Sequence, residues 1–335
     1  MKPLFFSSFL LLTIATAQDK PAWIDTPQSQ YSNAKYLSAV GSGDTRKSAE
    51  SDASAKLAMI FQSTIKAEQT INDRYKELFT SPQNSTYEQS TDVTKNTSIS
   101  SNQILYNFQI AETFTDNLGR TYALAVIERA PTAEIYEKKI QENEKIMGRY
   151  IEQYSKTNDA VAQYADINAA SVFSTINEGL KQQLVIIIPG RTYVSTSGYD
   201  AVKIQQMLAD ARKNLPFAVS IKNDTEGKTT AIVKEMLSEM GFVTAEKGVL
   251  TISGEISFEK VDLKKTEEYV RWSYALSVVD GAKATIVSLT ENGREGHLTY
   301  SEAVARATRT MKQKIKTNFG KEINRYFDTL VKKSN

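Results

Sequence analysis

His297 is the only histidine in the chain, so any serine–histidine–aspartate triad or imidazole metal site would have to use it. It follows Gly293 and Gly296 and stands between Glu295 and Thr299, just ahead of the last helix. An imidazole there could sense pH or bind a ligand. The ordinary alternative is a turn residue hydrogen-bonded near the helix start. Gly41-Ser42-Gly43, between a strand and a helix, invites a phosphate cradle. It lacks a third glycine and a Gly-Lys-Ser/Thr ending, and Asp44 would repel an anion at the helix N-terminus. A tight structural turn is expected instead.

The pairs Glu255/Glu259 and Glu267/Glu268 are the acids that could serve a glycosidase. Glu255 and Glu259 alternate onto the wet side of a strand, where carboxylates are ordinary solubilising groups. Arg271 and Ser273 share the wet side of the strand that carries Trp272, and Arg294 is close in sequence. With His297 they form the candidate partner-binding set: Arg271, Ser273, Arg294 and His297. No catalytic, cofactor-binding or metal-ligating constellation emerges.

The elements that must hold these residues begin with an export leader. Lys2 is a positive n-region, Leu4 to Ile14 is an apolar run, and Ala15-Thr16-Ala17 offers the small residues of a cleavage site before Gln18. The apolar run is about a dozen residues, against the roughly 20 a bilayer-spanning helix needs. Met1–Ala17 is therefore expected to be a cleaved signal peptide, and no later segment reads as transmembrane. The leader takes only Lys2 with it, so the net charge falls from +2 to +1, with no strong field to attract nucleic acid. The absence of cysteine excludes disulfides, thiolate zinc and a lipidated N-terminal cysteine. At 335 residues, 41% of them hydrophobic, there is chain enough for two cores.

After an extended leader in which Trp23 is expected to dock on the first domain, Tyr36–Val40 reads as a strand. Asp44 or Thr45 then caps a helix paced by Ala49, Ala53, Leu57, Ile60 and Phe61, expected to run to about Phe79. Ser81–Ser98 is a polar excursion. Ile104, Tyr106, Phe108 and Ile110 alternate as a strand; Asp116-Asn117-Leu118-Gly119 turns it, and Tyr122, Leu124 and Val126 return. From Pro131 a long helical stretch is interrupted at Lys156-Thr157-Asn158-Asp159, which predicts a helical hairpin. Leu184–Ile188 is a strand candidate, followed by a helix at Ala201–Leu215 and a strand at Phe217–Ile221. A helix at Thr229–Met240 is closed by Gly241. Strands are then predicted around Leu250–Glu259, Val270–Val278 and Ala284–Leu289. From Ser301 a last helix presents Val304, Met311, Ile315, Phe319, Ile323, Phe327 and Leu330.

The fold class is therefore α+β: two modules, each an antiparallel sheet with helices packed on one face, joined by a long helical hairpin. The expected division is a signal peptide at 1–17, an α+β domain at 18–131, the hairpin at 132–183 and a β-α-β-β-β-α domain at 184–335.

Pro21-Ala22-Trp23 ahead of Tyr36-Leu37-Ser38-Ala39-Val40-Gly41-Ser42-Gly43, followed by the helix of Ala49, Ala53 and Leu57, resembles the N-terminal domain of the bacterial envelope lipoprotein-20 family. The flagellar assembly protein T family shares this domain. Over 184–335, with Gly254-Glu255-Ile256, the chain is similar in outline to envelope lipoprotein domains of the curli-channel and peptidoglycan-synthase-activator type. Arg271-Trp272-Ser273-Tyr274 and Asn292–His297 resemble longer lipoprotein-20 members. The chain departs from the family at Ala17-Gln18, where most members hold an acylated cysteine, so outer-membrane association could come only through partners. The Asn84 and Asn96 sequons would mean nothing in a bacterial periplasm.

The resemblance implies a non-enzymatic exported protein of the periplasm or envelope, without cofactor, that assembles or scaffolds through contacts with envelope proteins. An exported hydrolase acting on cell-wall material through carboxylates, or a small-ligand-binding module, is the alternative.

Overall fold

A computed structural model of the protein describes residues 19–61, 69–81, 98–100, 103–195, 198, 200–263 and 266–333. The leader at 1–17, both sequons and nearly all of the polar excursion lie outside them. The chain divides into two compact units. One comprises Met1–Lys66, Val93–Tyr136 and Gln183–Arg191; the other comprises Ala67–Asp92, Glu137–Gln182 and Thr192–Asn335.

The first unit is built on strands β1 (Tyr36–Gly43), β4 (Phe108–Thr115) and β5 (Thr121–Glu128), antiparallel in the order β1-β5-β4. A short pair, β2 (Ser98–Ser100) and β3 (Gln103–Leu105), precedes β4. The single strand expected from Ile104 to Ile110 is broken, because Asn107 adopts a positive φ of 56°, a conformation Asn tolerates better than most residues. Strand β5 is buried on both sides. Leu124 and Val126 meet Trp23, Ile24 and Phe114, so Trp23 docks as expected. Ala123, Ala125 and Ile127 alternate to the opposite face.

Helix α1 (Arg46–Met59) packs on β1 and β5. Thr45 caps it reciprocally: its side chain accepts from the Ser48 amide, and Ser48 Oγ accepts from the Thr45 amide. The buried positions Ala49, Ala53 and Leu57 are those the spacing predicted, but the helix stops at Met59 rather than Phe79. Helix α2 (Gln69–Phe79) is a separate element of the second unit. Gly41 and Gly43 do not turn the chain; they lie in β1, paired with Ala123 and Thr121 of β5. A Cβ on Gly41 would sit 2.1 Å from the Ala53 amide nitrogen. The glycines let helix backbone lie on strand backbone.

Helices α3 (Arg129–Lys156) and α4 (Ala160–Ile187) form the predicted hairpin. Asp159 Oδ1 caps α4 by accepting from the Ala162 amide at 2.8 Å. The hairpin is not a free arm, since every residue of α4 from Tyr164 to Ser174 is buried. Its interior carries a polar chain: Tyr75 donates to Asn143 Oδ1 (3.1 Å), Asn143 to Asn177 Oδ1 (2.7 Å), and Asn177 to the Ile140 carbonyl (3.2 Å). Satisfied in this way, the amides also fix the register of the two helices. Leu184–Ile188, expected as a strand, is instead the apolar last turn of α4, to Ile187, and the residue after it. Arg129 Nη1 donates to the carbonyls of Ile186 and Ile187 there.

The second sheet has strands β6 (Phe217–Lys222), β7 (Leu250–Val261), β8 (Glu268–Val279) and β9 (Thr285–His297), in that order. Helix α5 (Ala201–Lys213), capped by Asp200, leads into β6. The sheet is mixed rather than purely antiparallel. Strands β6 and β7 are parallel, as the crossover through helix α6 (Lys228–Glu239) requires, and the other pairs are antiparallel. Leu250, Ile252, Ile256, Val270, Trp272, Tyr274, Leu276 and Val278 face inward as the alternation predicted.

They are covered by helix α7 (Tyr300–Lys314), a π-helical turn at Ile315–Phe319 and helix α8 (Gly320–Lys333). The buried stripe is Ala303, Ala307, Met311, Ile315, Phe319, Ile323, Phe327 and Val331, every fourth residue, in place of the predicted Val304 and Leu330. In an α-helix each four-residue step rotates the stripe by about 40°. The wider π turn takes back part of that drift.

Two measurements check this packing. Gly41→Ala should destabilise the protein by about 1–3 kcal/mol, because backbone rather than a flexible side chain must move; an unchanged thermal midpoint would contradict the close approach. Asp166, buried on α4, has its carboxyl pushed up to about 7 by desolvation alone. Between pH 4 and 7 the folded state keeps this proton while the unfolded chain has released it. Stability therefore falls as pH rises through that window, by roughly 4 kcal/mol at most. Asp166→Asn should abolish this component and melt higher than wild type at pH 8, with little difference near pH 4.

Candidate functional site

Cross-strand register assembles the outward face of β7, β8 and β9. Glu259, Arg271 and Arg294 stand in one row; Ser257, Ser273 and Asn292 in the next; then Glu255, Ala275 and Thr290; then Ser253, Ser277 and Ser288. All are exposed or half-exposed. Arg271 Nη1 lies 3.8 Å from Glu259 Oε2, and the Arg294 guanidinium lies 5.9 Å from the centre of the Tyr269 ring. The structure thus brings Arg271, Ser273 and Arg294 together as neighbours.

His297 is not among them. It is the last residue of β9 and faces α7, where Nδ1 lies 2.5 Å from Glu302 Oε2. Strand β9 is longer than the predicted Ala284–Leu289 because its second half has carboxylates, not aliphatics, on the inward side. Glu291 accepts from Lys314 Nζ and Asn318 Nδ2 (2.5 Å each); Glu295 accepts from Thr310 Oγ1 (2.9 Å) and lies 3.2 Å from Arg306 Nε. The Lys314 and Asn318 contacts hold the Glu291 carboxyl below its ordinary range. Between these acids Gly293 makes room for Trp272, whose ring would lie 2.4 Å from a Cβ there.

The acid pairs do not converge. Glu255 and Glu259 are four residues apart on one strand, about 13 Å, beyond the separation a glycosidase uses. Glu255 accepts from Asn223 Nδ2 (2.9 Å), Glu268 pairs with Lys260 (2.7 Å), and Glu267 accepts from the Tyr269 hydroxyl. Among the described residues no cluster of three or more His, Asp or Glu side chains could hold a metal ion, and no helix is long and apolar enough to cross a membrane. The outward face presents two guanidiniums, the carboxylates of Glu255 and Glu259, hydroxyls and one side-chain amide on a regular lattice.

A second feature escaped the sequence reading. Helix α2, Met240 and the π turn enclose a groove of about 730 Å³, bordered by Asp73, Arg74, Lys316 and Lys321. Its base is a buried bidentate ion pair, Arg74 Nε and Nη2 to Asp328 Oδ2 and Oδ1 at 2.8 and 2.6 Å. Lys316 leaves the π turn to reach Glu235 and Glu239 on α6 (2.7 and 2.6 Å). Only the four-residue spacing of the stripe hinted at the π turn.

Pro21-Ala22-Trp23, strand β1 with its two glycines, and the alanine-paced α1 are the features that carry the family resemblance. Residues 21–128 match the LPP20 lipoprotein family. The match spans roughly a third of the chain and places the LPP20 domain with exported, envelope lipoprotein-type proteins. No cysteine occurs in this sequence to carry a lipid. No curated protein matches the sequence. Similar solved structures include the secreted protein HP1454 from the human pathogen Helicobacter pylori, at 11% identity, 85% of this chain, 97% of that chain and a TM-score of 0.41. A minor lipoprotein from Acinetobacter baumannii is 13% identical, covering 35% and 94%, with a TM-score of 0.24. The lipoprotein GNA1162 from Neisseria meningitidis is 11% identical, covering 29% and 97%, at 0.22.

Breaking the ion pair under the groove tests its weight in the second unit. Asp328→Asn leaves a buried guanidinium uncompensated and should cost about 3–5 kcal/mol, whereas Arg74→Met with Asp328→Leu should recover most of it. Equal losses in the single and double variants, read by chemical denaturation, would contradict this.

Proposed function

We propose that this protein is a non-enzymatic assembly or scaffold factor of the periplasm or envelope, binding protein partners through the outward face of the C-terminal sheet. The observation that carries the reading is the pairing of Arg271 directly opposite Arg294 in the β8–β9 register. Like charges placed opposite one another destabilise a sheet. Glu259 approaches only Arg271. A partner that supplies acid to this row relieves the repulsion; water relieves it less well. The surrounding serines, Thr290 and Asn292 add short, low-entropy hydrogen-bonding groups to the rim. Attachment to the outer membrane, where it occurs, is then through those partners.

The test is cross-linking in the native envelope, followed by mass spectrometry of what is captured. Arg271→Glu with Arg294→Glu should lower the enrichment of specific partners about tenfold or more, while His297→Ala, on the opposite face, leaves it unchanged. Surface substitutions of this kind shift stability by only about 0.5 kcal/mol, so the folded fraction serves as an internal control. An identical partner set in the doubly reversed variant would remove the basis of the proposal.

A further inference from the structure

Among the described residues no strand pairs with the far side of β9, the last strand of the sheet. It is 13 residues long, so one row of its backbone amides and carbonyls is left without a ladder partner. Long open edges are aggregation hazards, and proteins blunt them with inward-pointing charges, bulges and short length. Here the inward charges, Glu291 and Glu295, are already engaged by the side chains of α7 and the π turn. They tie β9 to its helix, and the β8–β9 register is irregular only near Ile286, at the start of the strand. On the outward side, Ser288, Thr290, Asn292 and Arg294 are all exposed. None is large and apolar, so the edge is available without being sticky.

The row that crosses the sheet reads Glu259, Arg271, Arg294. Glu259 stands beside Arg271 on one flank. The open flank of Arg294 is the place where the next strand of the sheet would put its side chain, about 5 Å away. An acid at that position would complete an alternation that the chain leaves unfinished.

We propose that β9 is a strand-addition edge that takes an extended segment of a partner protein. Main-chain ladder bonds supply the affinity, and an Asp or Glu of the partner seated beside Arg294 supplies the selection. Thr, Ser or Asn at alternate positions of that segment matches the hydroxyl and amide rows next to it. The inference deepens the partner-binding reading and rests on it.

The probe is a set of three fluorescent peptides that alternate Thr with Val: one with a central Glu, one with a central Lys, and the Glu peptide N-methylated at alternate amides. Binding to the full chain is read by anisotropy, and the site by hydrogen exchange over 285–297. The Glu peptide should bind about fivefold tighter than the Lys peptide, and Arg294→Glu should invert that order. The N-methylated peptide, unable to donate ladder bonds, should not bind, and the Glu peptide should slow exchange in β9. Equal binding of the N-methylated and unmodified peptides, or protection elsewhere than β9, would overturn strand addition. If that happened while the arginine reversals still abolished cross-linked partners, strand addition alone would fall. If the reversals changed neither readout, the face itself would be the wrong surface.

Discussion

One side of the C-terminal sheet is sealed by a single row of side chains, Ala303 through Val331, taken at every fourth residue from one continuous helical path. A straight α-helix does not hold such a row on one side, because the row winds away by about 40° at each step. The π turn at Ile315–Phe319 is the accommodation. It keeps Met311, Ile315 and Phe319 buried, and the stripe then continues to Phe327, whose ring packs edge-on against Tyr164 of α4 at 4.5 Å. The same turn aims Lys316 at the two acids of α6. With the inward side occupied in this way, the sheet stays open on its outward side and, among the described residues, along the edge of β9.

The charges of β9 divide accordingly. Its inward acids are tied to Arg306, Thr310, Lys314 and Asn318, and the Lys314 and Asn318 contacts hold the Glu291 carboxyl below its ordinary range. Its outward cation has a ring near it and another arginine opposite, but no acid among its cross-strand neighbours. Inward acids that hold a helix are a matter of stability. An outward arginine opposite its like costs a few tenths of a kcal/mol to about 1 kcal/mol, small beside the 5–15 kcal/mol by which domains are commonly stable.

Much of this was legible in the residues. Period-two runs located β7 and β8 and named which side was wet, because burial on one face leaves a clean alternation. The caps and turns were legible for the same kind of reason: Thr45, Asp116 and Asp159 act locally, on amides a few residues away. The errors have a common origin in tertiary contact. Gly41-Ser42-Gly43 looked like a turn because glycine permits one, yet here its lack of a Cβ serves helix–strand approach. Leu184–Ile188 looked like a strand because a short apolar run does not distinguish a buried strand from a buried helix end. The second half of β9 was missed since its inward residues are glycine and glutamate, whose partners lie on a helix ten or more residues downstream. The grouping of Arg271, Ser273 and Arg294 was readable; the placement of His297 on the other face depended on the length of β9.

The hairpin of α3 and α4 follows a different logic from the sheet. Tyr75, Asn143 and Asn177 form a closed chain of buried hydrogen bonds, while Asp166 is buried at a carboxylate's expense, its proton retained to about pH 7. A buried amide chain has a single arrangement that satisfies all its members, so sliding one helix by a turn leaves each of them unpaired. An apolar seam would tolerate such a slip at much lower cost. Stability could have been had more simply with leucines at these positions; what the amides add is register. That matters for a protein read as a scaffold, because a surface offered to partners is useful only if the elements behind it hold one alignment.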